Sequence, residues 1–482
     1  MDALAAAIES FLSPLAAALS KVVFFSVSLF GVSVPLVVAW LAAGALFFTV
    51  YLGFVNIRGF WLAVRHVRGD FADPKAKGEI SHFRALATAV SGTVGVGNIG
   101  GVAIAISIGG AGAAFWLFVA GFLSMSTKAI ECTLGVKYRR ITEDGRVLGG
   151  PMFYLDSYFS DRKMPKIGRS MGMFYAAALV IGCLGTGNMF QSNQAYSQMV
   201  VVTGGSEGFI GANPIIFGFI LAAIVGAVVI GGVKSIARVA GVIVPIMASV
   251  YIVGCLYVIS MSWEHIPFAI QSTVANAFGL DAMAGGGIGA MIYGFQRAIF
   301  SNEAGLGTAS IAHSAVQTDK PASEGLVALL EPFIDTMVVL TLSSLVILTT
   351  AIPNGMMGGE LAGIELTSAA FSHHIAWSPY LIAFAAVLFA FSTALAWSYY
   401  GLTAWNYLVG VGRKRTLFFQ LLFLGCLVLG CILELRAVLD FSDAMVFVVA
   451  VPNLIALYLF APMVKRELND YLAAHKSWAT DR

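Results

Sequence analysis

The stretch RALATAVSGTVGVGNIGGVAIAISIG, residues 84–109, organises this chain. It is long enough to span a bilayer, and no charged residue follows Arg84 within it. Its middle nevertheless holds five glycines together with Thr93 and Asn98, which an uninterrupted membrane helix avoids. In hydrocarbon every freed backbone N–H and C=O needs a partner, so such a break persists only against protein or a polar cavity. We predict a broken, ligand-binding helix.

Two other interpretations of the same residues are less favourable. A glycine-rich packing surface would not require Thr93 and Asn98 at the same depth. Residues 95–100 also match G-x-G-x-x-G, the fingerprint of dinucleotide-binding domains. That fingerprint needs a preceding strand and an acidic residue about 20 positions further on. Here the surroundings are apolar helix and the next acid is Glu131, which excludes a dinucleotide site.

The composition indicates an all-α polytopic membrane protein. Of the 482 residues 59% are hydrophobic and only 11% are charged, against about 25% charged in soluble domains. The five cysteines lie in apolar segments without metal-ligand spacing, and the seven histidines are scattered. Neither H-E-x-x-H nor G-x-S-x-G occurs, so we expect no enzyme and no cofactor. The expected environment is a lipid bilayer, with no nucleic acid as partner.

The apolar segments predict about eleven membrane spans. Their bounds are 34–56, 84–109, 111–136, 171–202, 213–232, 235–260, 283–310, 323–352, 378–408, 416–434 and 437–463. Residues 1–31 predict an interfacial helix with an irregular lead-in. The amphipathic stretches 266–280 and 363–376 predict two further interfacial helices.

The basic residues between the spans predict the orientation. If the loop 57–84 is cytoplasmic, 24 of the 28 Lys and Arg residues lie on the cytoplasmic side, with Lys21 and Arg436 opposite. The N-terminus is then outside and the C-terminus cytoplasmic. We expect a multi-pass protein of the bacterial plasma (inner) membrane.

The odd number of spans predicts one peripheral helix and two repeats of five. Span two and span seven would be the equivalent first helices of these inverted repeats, and both are interrupted. In span seven the weak points are 294–297 and 305–308. The predicted organisation is a peripheral segment 1–56, a first repeat 84–260, a second repeat 283–463 and a cytoplasmic tail 464–482. Paired breaks of this kind are typical of transporter sites.

Several motifs, in order along the chain, resemble a known family. They are GTVGVGNIGGVAIAI (92–106), KYRR and GGPMFY (137–154), GTGNMFQSNQ (185–194), FQRAIFSNEAGLGTASIAHSAV (295–316), EPFIDT (331–336) and FSTALAWSYYG (391–401). The chain is identified by them as a member of the alanine or glycine:cation (sodium:alanine) symporters, of the amino acid–polyamine–organocation superfamily. The resemblance implies a five-plus-five inverted-repeat (LeuT-like) core and sodium-driven uptake of small neutral amino acids, most of all alanine and glycine. Proton coupling, or another cargo such as glutamine, remains open.

An amino acid zwitterion needs N–H donors for its carboxylate and carbonyls or hydroxyls for its ammonium group. A broken helix supplies both without a charged side chain. The candidate substrate-binding residues are Thr93, Gly95, Gly97, Asn98, Gln191, Phe295 and Trp397. Asn98 could also bind sodium. The alternatives are that Gln191 forms hydrogen bonds between helices and that Phe295 packs in the core.

Sodium prefers oxygen ligands, which span nine offers next to the break. By resemblance to the shared fold, the carbonyls of Ser91 and Val94 would face Ser392 and Thr393, so these four residues are the candidate sodium ligands. The alternative is that Ser392 and Thr393 bond back to their own helix.

Charged residues within the spans require partners. Lys128 and Glu131 are three positions apart and are predicted to pair with each other. Glu331 and Asp335 lie on one helix face, so each is expected to be paired or protonated. Such groups would also suit a proton pathway.

Overall fold

The computed structural model describes residues 2–29, 32–143, 145–279, 286–357, 361 and 363–480. Residues 283–285 of the predicted seventh span and the last two residues of the predicted tail lie outside this part of the chain. Helices dominate the described residues, because a helix satisfies its own backbone polar groups within a bilayer.

The α-helices are, in chain order, α1 Asp2–Val23, α2 Leu36–Tyr51, α3 Val55–Arg58, α4 Phe60–Arg68, α5 His82–Thr93, α6 Val102–Gly109, α7 Gly112–Lys137, α8 Pro151–Asp161, α9 Pro165–Leu184, α10 Phe190–Val202, α11 Phe209–Ala212, α12 Pro214–Val229, α13 Gly232–Met261, α14 Ile266–Phe278, α15 Gly286–Asn302, α16 Ala309–Ser314, α17 Pro321–Val327, α18 Leu330–Pro332, α19 Thr341–Val346, α20 Ile364–Ser372, α21 Ser378–Val409, α22 Arg413–Gly430 and α23 Leu435–Thr480. Four π-helical segments are Gly97–Gly101, Gly185–Met189, Phe333–Leu340 and Ile347–Ala351, and two 3₁₀ turns are Gly205–Glu207 and Trp263–His265. The strands are β1 Ser26–Leu29, β2 Val32–Pro35, β3 Arg140–Ile141 and β4 Val147–Leu148.

Six helical segments of the described chain are long and apolar enough to cross a membrane. They are Gly112–Lys137, Pro165–Val202, Gly232–Met261, Pro321–Ala351, Ser378–Val409 and Leu435–His475. A seventh combines α5 with residues 97–109, and α2 and α12 are shorter apolar helices. The remaining predicted spans fall on α15 with α16 and on α22. The multi-pass helical class is confirmed, whereas length and composition alone do not establish the count of eleven.

Lipid-facing and buried surfaces are distributed as a membrane protein requires. Large apolar side chains such as Phe219, Ile230 and Val253 are exposed on the outside of the bundle. Inside, α7 packs against α15, α16 and α17, and α21 packs against α5, α9 and α10. The broken second span therefore lies among the helices that carry the other candidate residues.

The N-terminal segment forms a helix and a hairpin. Helix α1 packs against α23, and β1 pairs antiparallel with β2, with Ser26 opposite Pro35. The predicted helix within 1–31 is present, but the hairpin that follows it was not predicted. At the other end α23 continues without interruption to Thr480, so the predicted tail from 464 begins inside a helix.

Spans two and seven are both interrupted, as predicted, but span seven is broken at only one of its two predicted weak points. Span two bends by 53° between α5 and residue 97. In span seven α15 runs without a break through 294–297, so that weak point was wrong, and the chain leaves the helix at Glu303. Glu303, Gly305 and Gly307 have positive φ angles of 58°, 91° and 82°, a conformation that glycine adopts without steric cost.

The two predicted interfacial helices differ in their environment. Helix α14 occupies 266–278 and is mostly exposed or half-buried, as predicted. Helix α20 is instead largely buried, and Thr367 Oγ1 donates to the Ile99 carbonyl within the break, at 2.8 Å. The prediction of an interfacial helix at 363–376 was therefore wrong. Helix α20 packs instead against residues 97–101 of the broken span.

Candidate functional site

The break in span two is held open by side chains. Helix α5 ends at Thr93, and Val94 has a ψ of 89°, outside the helical range. The freed N–H of Gly95 donates to Asn98 Oδ1 at 2.9 Å, and the N–H of Val96 donates to Gln191 Oε1 at 3.0 Å. These bonds satisfy groups that a break in hydrocarbon would otherwise leave unpaired. Asn98 and Gln191 therefore act on the backbone of the break itself.

Asn98 also connects the break to span eight. Its Nδ2 donates to Asp335 Oδ1 at 2.6 Å, and Ser301 Oγ donates to both carboxylate oxygens at 3.0 Å. Thr336 Oγ1 adds a third neutral donor at 2.7 Å. Asp335 is thus a fully buried carboxylate that accepts from an amide and two hydroxyls. The predicted site residues did not include Asp335 and Ser301, although the pattern had marked Asp335 as a charge that needs partners.

Gln191 links the break to the π-helical segment of span four. Its Nε2 donates to the Thr186 carbonyl at 3.1 Å, while its Oε1 accepts from Val96. A Cβ built on Gly95 would lie 2.9 Å from Gln191 Oε1 and 2.8 Å from Thr393 Oγ1. Glycine is therefore required at position 95 for span two to approach spans four and nine this closely.

Three of the four predicted sodium ligands, Ser91, Ser392 and Thr393, lie near this contact. Ser91 Oγ donates to the Ser392 carbonyl at 2.9 Å, and Ser392 Oγ donates to the Phe389 carbonyl of its own helix at 3.0 Å. Thr393 Oγ1 is buried and has no hydrogen-bond partner among the described residues. The hydroxyl of Ser392 thus follows the alternative interpretation, whereas that of Thr393 faces the break with its lone pairs unused.

No cluster of charged ligands competes with this neutral oxygen set. Among the described residues, no group of three or more His, Cys, Asp and Glu side chains is placed to hold a metal ion.

The indole of Trp397 contacts residues next to both breaks. Its Nε1 donates to Glu303 Oε1 at 3.0 Å and contacts the Gly92 carbonyl at 3.3 Å. Glu303 also accepts from Thr308 Oγ1. The indole lies against Gly187, where a Cβ would be only 1.9 Å from Trp397 Cγ. Trp397 therefore packs between spans two, four and seven, and its indole N–H is already bonded.

Space remains beside Gly97. A Cβ built there would meet one described atom within 4 Å, Phe300 Cε1 at 3.8 Å. The predicted Phe295 packs against Trp116 of α7 instead, with ring centroids 6.2 Å apart. Phe300 is thus the aromatic ring nearest this part of the break. Its position five residues after Phe295, at the end of α15, was the available sequence signal.

The remaining predicted residues are enclosed as well. Thr93 Oγ1 makes two long contacts of 3.4 Å to carbonyls of its own helix, and its side chain is 4% exposed. Gln198 of the same span as Gln191 bonds Ser368 Oγ and the Pro379 carbonyl, so it holds helices together. These side chains are therefore buried within the bundle.

The charge pairing within the spans differs from the prediction. Lys128 Nζ donates to Glu331 Oε1 at 2.9 Å rather than to Glu131. Glu131 Oε1 accepts the N–H groups of Gly305 and Gly307, each at 2.9 Å, and Asn453 Nδ2 at 2.8 Å. The predicted Lys128–Glu131 pair was wrong because the carboxylate of Glu131 satisfies the donors freed by the second break.

Residues 18–482 match the model of the sodium:alanine symporter family. The chain belongs to the sodium:alanine symporter family. The sodium/alanine symporter AgcS of Methanococcus maripaludis is 36% identical over 446 residues, covering 92% of this chain and 96% of that relative. GlnT of Bacillus subtilis, described as a probable sodium/glutamine symporter, is 32% identical, covering 92% of this chain and 89% of GlnT.

The fold has a solved counterpart. The crystal structure of MhsT in complex with L-phenylalanine matches with a TM-score of 0.55 and 16% identity, covering 81% of this chain and 98% of that one. This likeness shows a LeuT-like fold with broken helices, as predicted. As a member of the sodium:alanine symporter family, the protein is a multi-pass transporter that couples amino acid transport to sodium transport. It is not an enzyme.

Proposed function

We propose that the protein takes up small neutral amino acids, foremost alanine and glycine, together with sodium by alternating access. The observation that carries the proposal is the buried break in span two, where Gly97 borders free space and the Thr393 hydroxyl has no partner among the described residues. Backbone groups and hydroxyls suit a zwitterion, and Phe300 leaves little room for a large side chain. Sodium would be the coupling ion, and no other cofactor is required.

The proposed substrate contacts are the break from Thr93 to Asn98, with Gly95 and Gly97 allowing close approach, together with Gln191, Phe295 and Trp397. Since Asn98 and Gln191 already bond the Gly95 and Val96 N–H groups, their part would be to fix these donors, or to exchange one of them for a substrate carboxylate. For sodium we propose the carbonyls of Ser91 and Val94 with Ser392 and Thr393. Because the candidate residues are buried, substrate passage requires movement of the surrounding helices.

We further propose that 84–260 and 283–463 are inverted repeats, since the breaks at 94–97 and 303–308 occupy the first helix of each. The peripheral segment would be 1–56, and the residues from 464 onward would extend into the cytoplasm. The excess of basic residues in loops such as 57–84 favours an outside N-terminus and a cytoplasmic C-terminus in the bacterial plasma membrane.

The proposed cargo is tested with purified protein in liposomes that carry either a sodium or a proton gradient. We expect sodium-driven uptake in which unlabelled alanine and glycine compete best, serine less well and leucine at least about tenfold more weakly than alanine. Each methylene that a pocket does not fit costs about 1–3 kcal/mol. Competition by leucine equal to that of alanine would contradict the small pocket.

The same experiment addresses the second candidate function. The similarity to GlnT favours glutamine as an alternative cargo, and the buried Asp335 carboxylate favours a proton as an alternative driver. Preferred glutamine uptake, or uptake driven by the proton gradient alone, would replace the proposed cargo or ion. Neither outcome would change the family.

Thr393→Ala is expected to raise the sodium concentration for half-maximal uptake about tenfold, since losing one ion ligand worth about 1.4 kcal/mol weakens binding by that factor. Substrate affinity at saturating sodium should change much less. Thr393→Ser keeps the hydroxyl and serves as the control, with sodium activation close to that of the native protein. Equal sodium activation curves for the alanine and serine variants would remove Thr393 from the sodium site.

A further inference from the structure

Three buried side chains form a chain of contacts near the start of α5. His82 of α5 contacts Glu324 Oε2 of α17 through Nδ1, and His313 of α16 contacts Glu324 Oε1 through Nδ1 at 2.6 Å. A single carboxylate thus accepts from two imidazole rings that belong to two different broken spans. The candidate substrate and sodium residues take no part in these contacts.

Beyond His313, a gap separates these side chains from Glu331 of span eight. His313 Nε2 lies 3.8 Å from Glu331 Oε2, and neither atom has a hydrogen-bond partner among the described residues. Glu331 Oε1 is already bonded to Lys128. With its hydrogen on Nδ1, a neutral ring turns a lone pair on Nε2 toward the carboxylate. A protonated ring would turn an N–H toward it instead.

A cleft connects this chain to the surface. The cleft has a volume of about 320 Å³, and its lining includes His66, Ser81, His82 and Gln317. Burial, and secondarily the positive charge of a protonated His82, lower the pKa of His66 to about 3, so His66 is neutral near pH 7. His82 therefore lies between this cleft and Glu324.

Other charged or titratable groups face the chain from the surrounding elements. They are His66 on α4, Lys128, Glu131 and Cys132 on α7, Arg139 after α7, Glu303 and Asp335 near the breaks, and Tyr400 on α21. Lys128 is bonded to Glu331, and Glu131 is bonded to the Gly305 and Gly307 N–H groups. His313 Nε2 and Glu331 Oε2, on the two sides of the 3.8 Å gap, have no hydrogen-bond partner among the described residues.

These side-chain contacts lie where the start of α5 is hydrogen-bonded to the end of span seven. The Glu79 N–H donates to the Ala315 carbonyl at 2.8 Å, and the Gln317 N–H donates to the Ile80 carbonyl at 2.7 Å. The guanidinium of Arg139 adds bonds to the carbonyls of Lys77 and Ser314, each at 2.8 Å. Helix α5 leads directly into the break at Val94, so these bonds attach the N-terminal half of the broken span to the end of span seven.

We propose that His82, Glu324, His313 and Glu331 form a proton-binding site, supplied from the cleft beside α4, that holds α5 against spans seven and eight when it is occupied. The proton comes from water in the cleft and binds at Nε2 of His313, whose Nε2–H then bonds Glu331 while its Nδ1–H still donates to Glu324. With the proton bound, the two carboxylates and the imidazolium join α16, α17 and α18. Without it the gap stays open and α5 separates more readily.

The effect on transport rests on the proposed function, whereas proton binding does not. In vesicles of one orientation, the pH is varied separately on each side during sodium-driven alanine uptake. Lowering the pH from about 10 to about 7 on the cleft side is expected to slow uptake about three- to tenfold, since His313 lies between two carboxylates that favour its charged form. His313→Gln keeps a donor for Glu324 but cannot become charged, so its uptake should not vary with pH on that side.

His373→Gln is the matched control, because His373 is exposed and belongs to α20's C-terminal end, away from this chain. It should retain the pH dependence of the native protein. The same pH response in His313→Gln as in the native protein, or a response only to the pH of the opposite side, would overturn the proposal.

Proton binding is measured independently by nuclear magnetic resonance of ¹⁵N-histidine-labelled protein in detergent. We expect one titrating imidazole signal that His313→Gln removes and that Glu324→Gln shifts. If uptake of every amino acid were absent while this signal titrated, the proposed function would fail and the proton site would stand. If uptake were normal and the signal of His313 did not titrate, the proton site alone would fail.

Discussion

Lys128→Met is expected to lower the free energy of unfolding by about 3–5 kcal/mol, because it leaves a buried carboxylate without its cation. Lys128 Nζ and Glu331 Oε1 are 2.9 Å apart, and both side chains are fully buried. The ammonium group is also close to Glu131, so its removal leaves the centre of α7 with uncompensated negative charge. Thermal unfolding of the purified protein in detergent, with its elution profile, measures the loss.

Lys137→Met provides the matched control on the same helix. Lys137 pairs with Glu467 at 2.6 Å, but its side chain is 35% exposed, and exposed pairs contribute about 0–1 kcal/mol. A second variant, Lys128→Met with Glu331→Gln, removes both charges and should recover part of the stability. Unfolding temperatures of Lys128→Met and Lys137→Met that do not differ would contradict the buried pair.

Gly187→Ala is expected to abolish uptake and to destabilise the protein by about 1–3 kcal/mol or more, as overpacking does in a closed core. The added Cβ would lie 1.9 Å from Trp397 Cγ and 2.3 Å from Trp397 Cβ, so the indole or span four has to move. Moving the indole breaks its bond to Glu303 and its contact with the Gly92 carbonyl, which disturbs both breaks together. Sodium-driven alanine uptake and the unfolding temperature are measured on the same preparation.

Gly182→Ala is the control within the same span. A Cβ there meets the Met445 backbone at 3.5 Å, an ordinary van der Waals distance, so folding and uptake should be retained. Gly187→Ala combined with Trp397→Leu should restore some stability without restoring uptake, since the clash is relieved while the indole contacts are lost. Native uptake by Gly187→Ala would show that Trp397 is not required at this position.

The two breaks were visible in the sequence to different degrees. In span two, glycines, Thr93 and Asn98 within an uncharged apolar stretch predict an interruption from local composition alone. In span seven the same reasoning also marked 294–297, which remains helical. Gly294 is used there for close packing, since a Cβ would lie 2.6 Å from Trp116. Glycine spacing does not distinguish a break from a tight helix contact, because both need a missing side chain.

The side chains that bond residues at the breaks are distant in sequence, so local sequence patterns did not predict them. Asp335 bonds Asn98 from 237 positions away, and Glu331 bonds Lys128 from 203 positions away. The rule that residues three or four apart pair on a helix favoured Lys128 with Glu131. That rule failed because the freed N–H groups of Gly305 and Gly307 take the Glu131 carboxylate. An unpaired backbone donor inside a membrane protein outweighs a weak pair on one helix.

The sequence by itself determined a multi-pass helical class and a glycine-containing break in span two, because hydropathy and glycine content act over short stretches. Tertiary structure decided which polar atoms remain available at that break. Ser392 and Thr393 are neighbours with equivalent hydroxyls, yet one bonds its own helix and the other faces Gly95 without a partner among the described residues. Successive residues of a helix point in directions about 100° apart, and only the packing of spans two, four and nine fixes which direction meets the break.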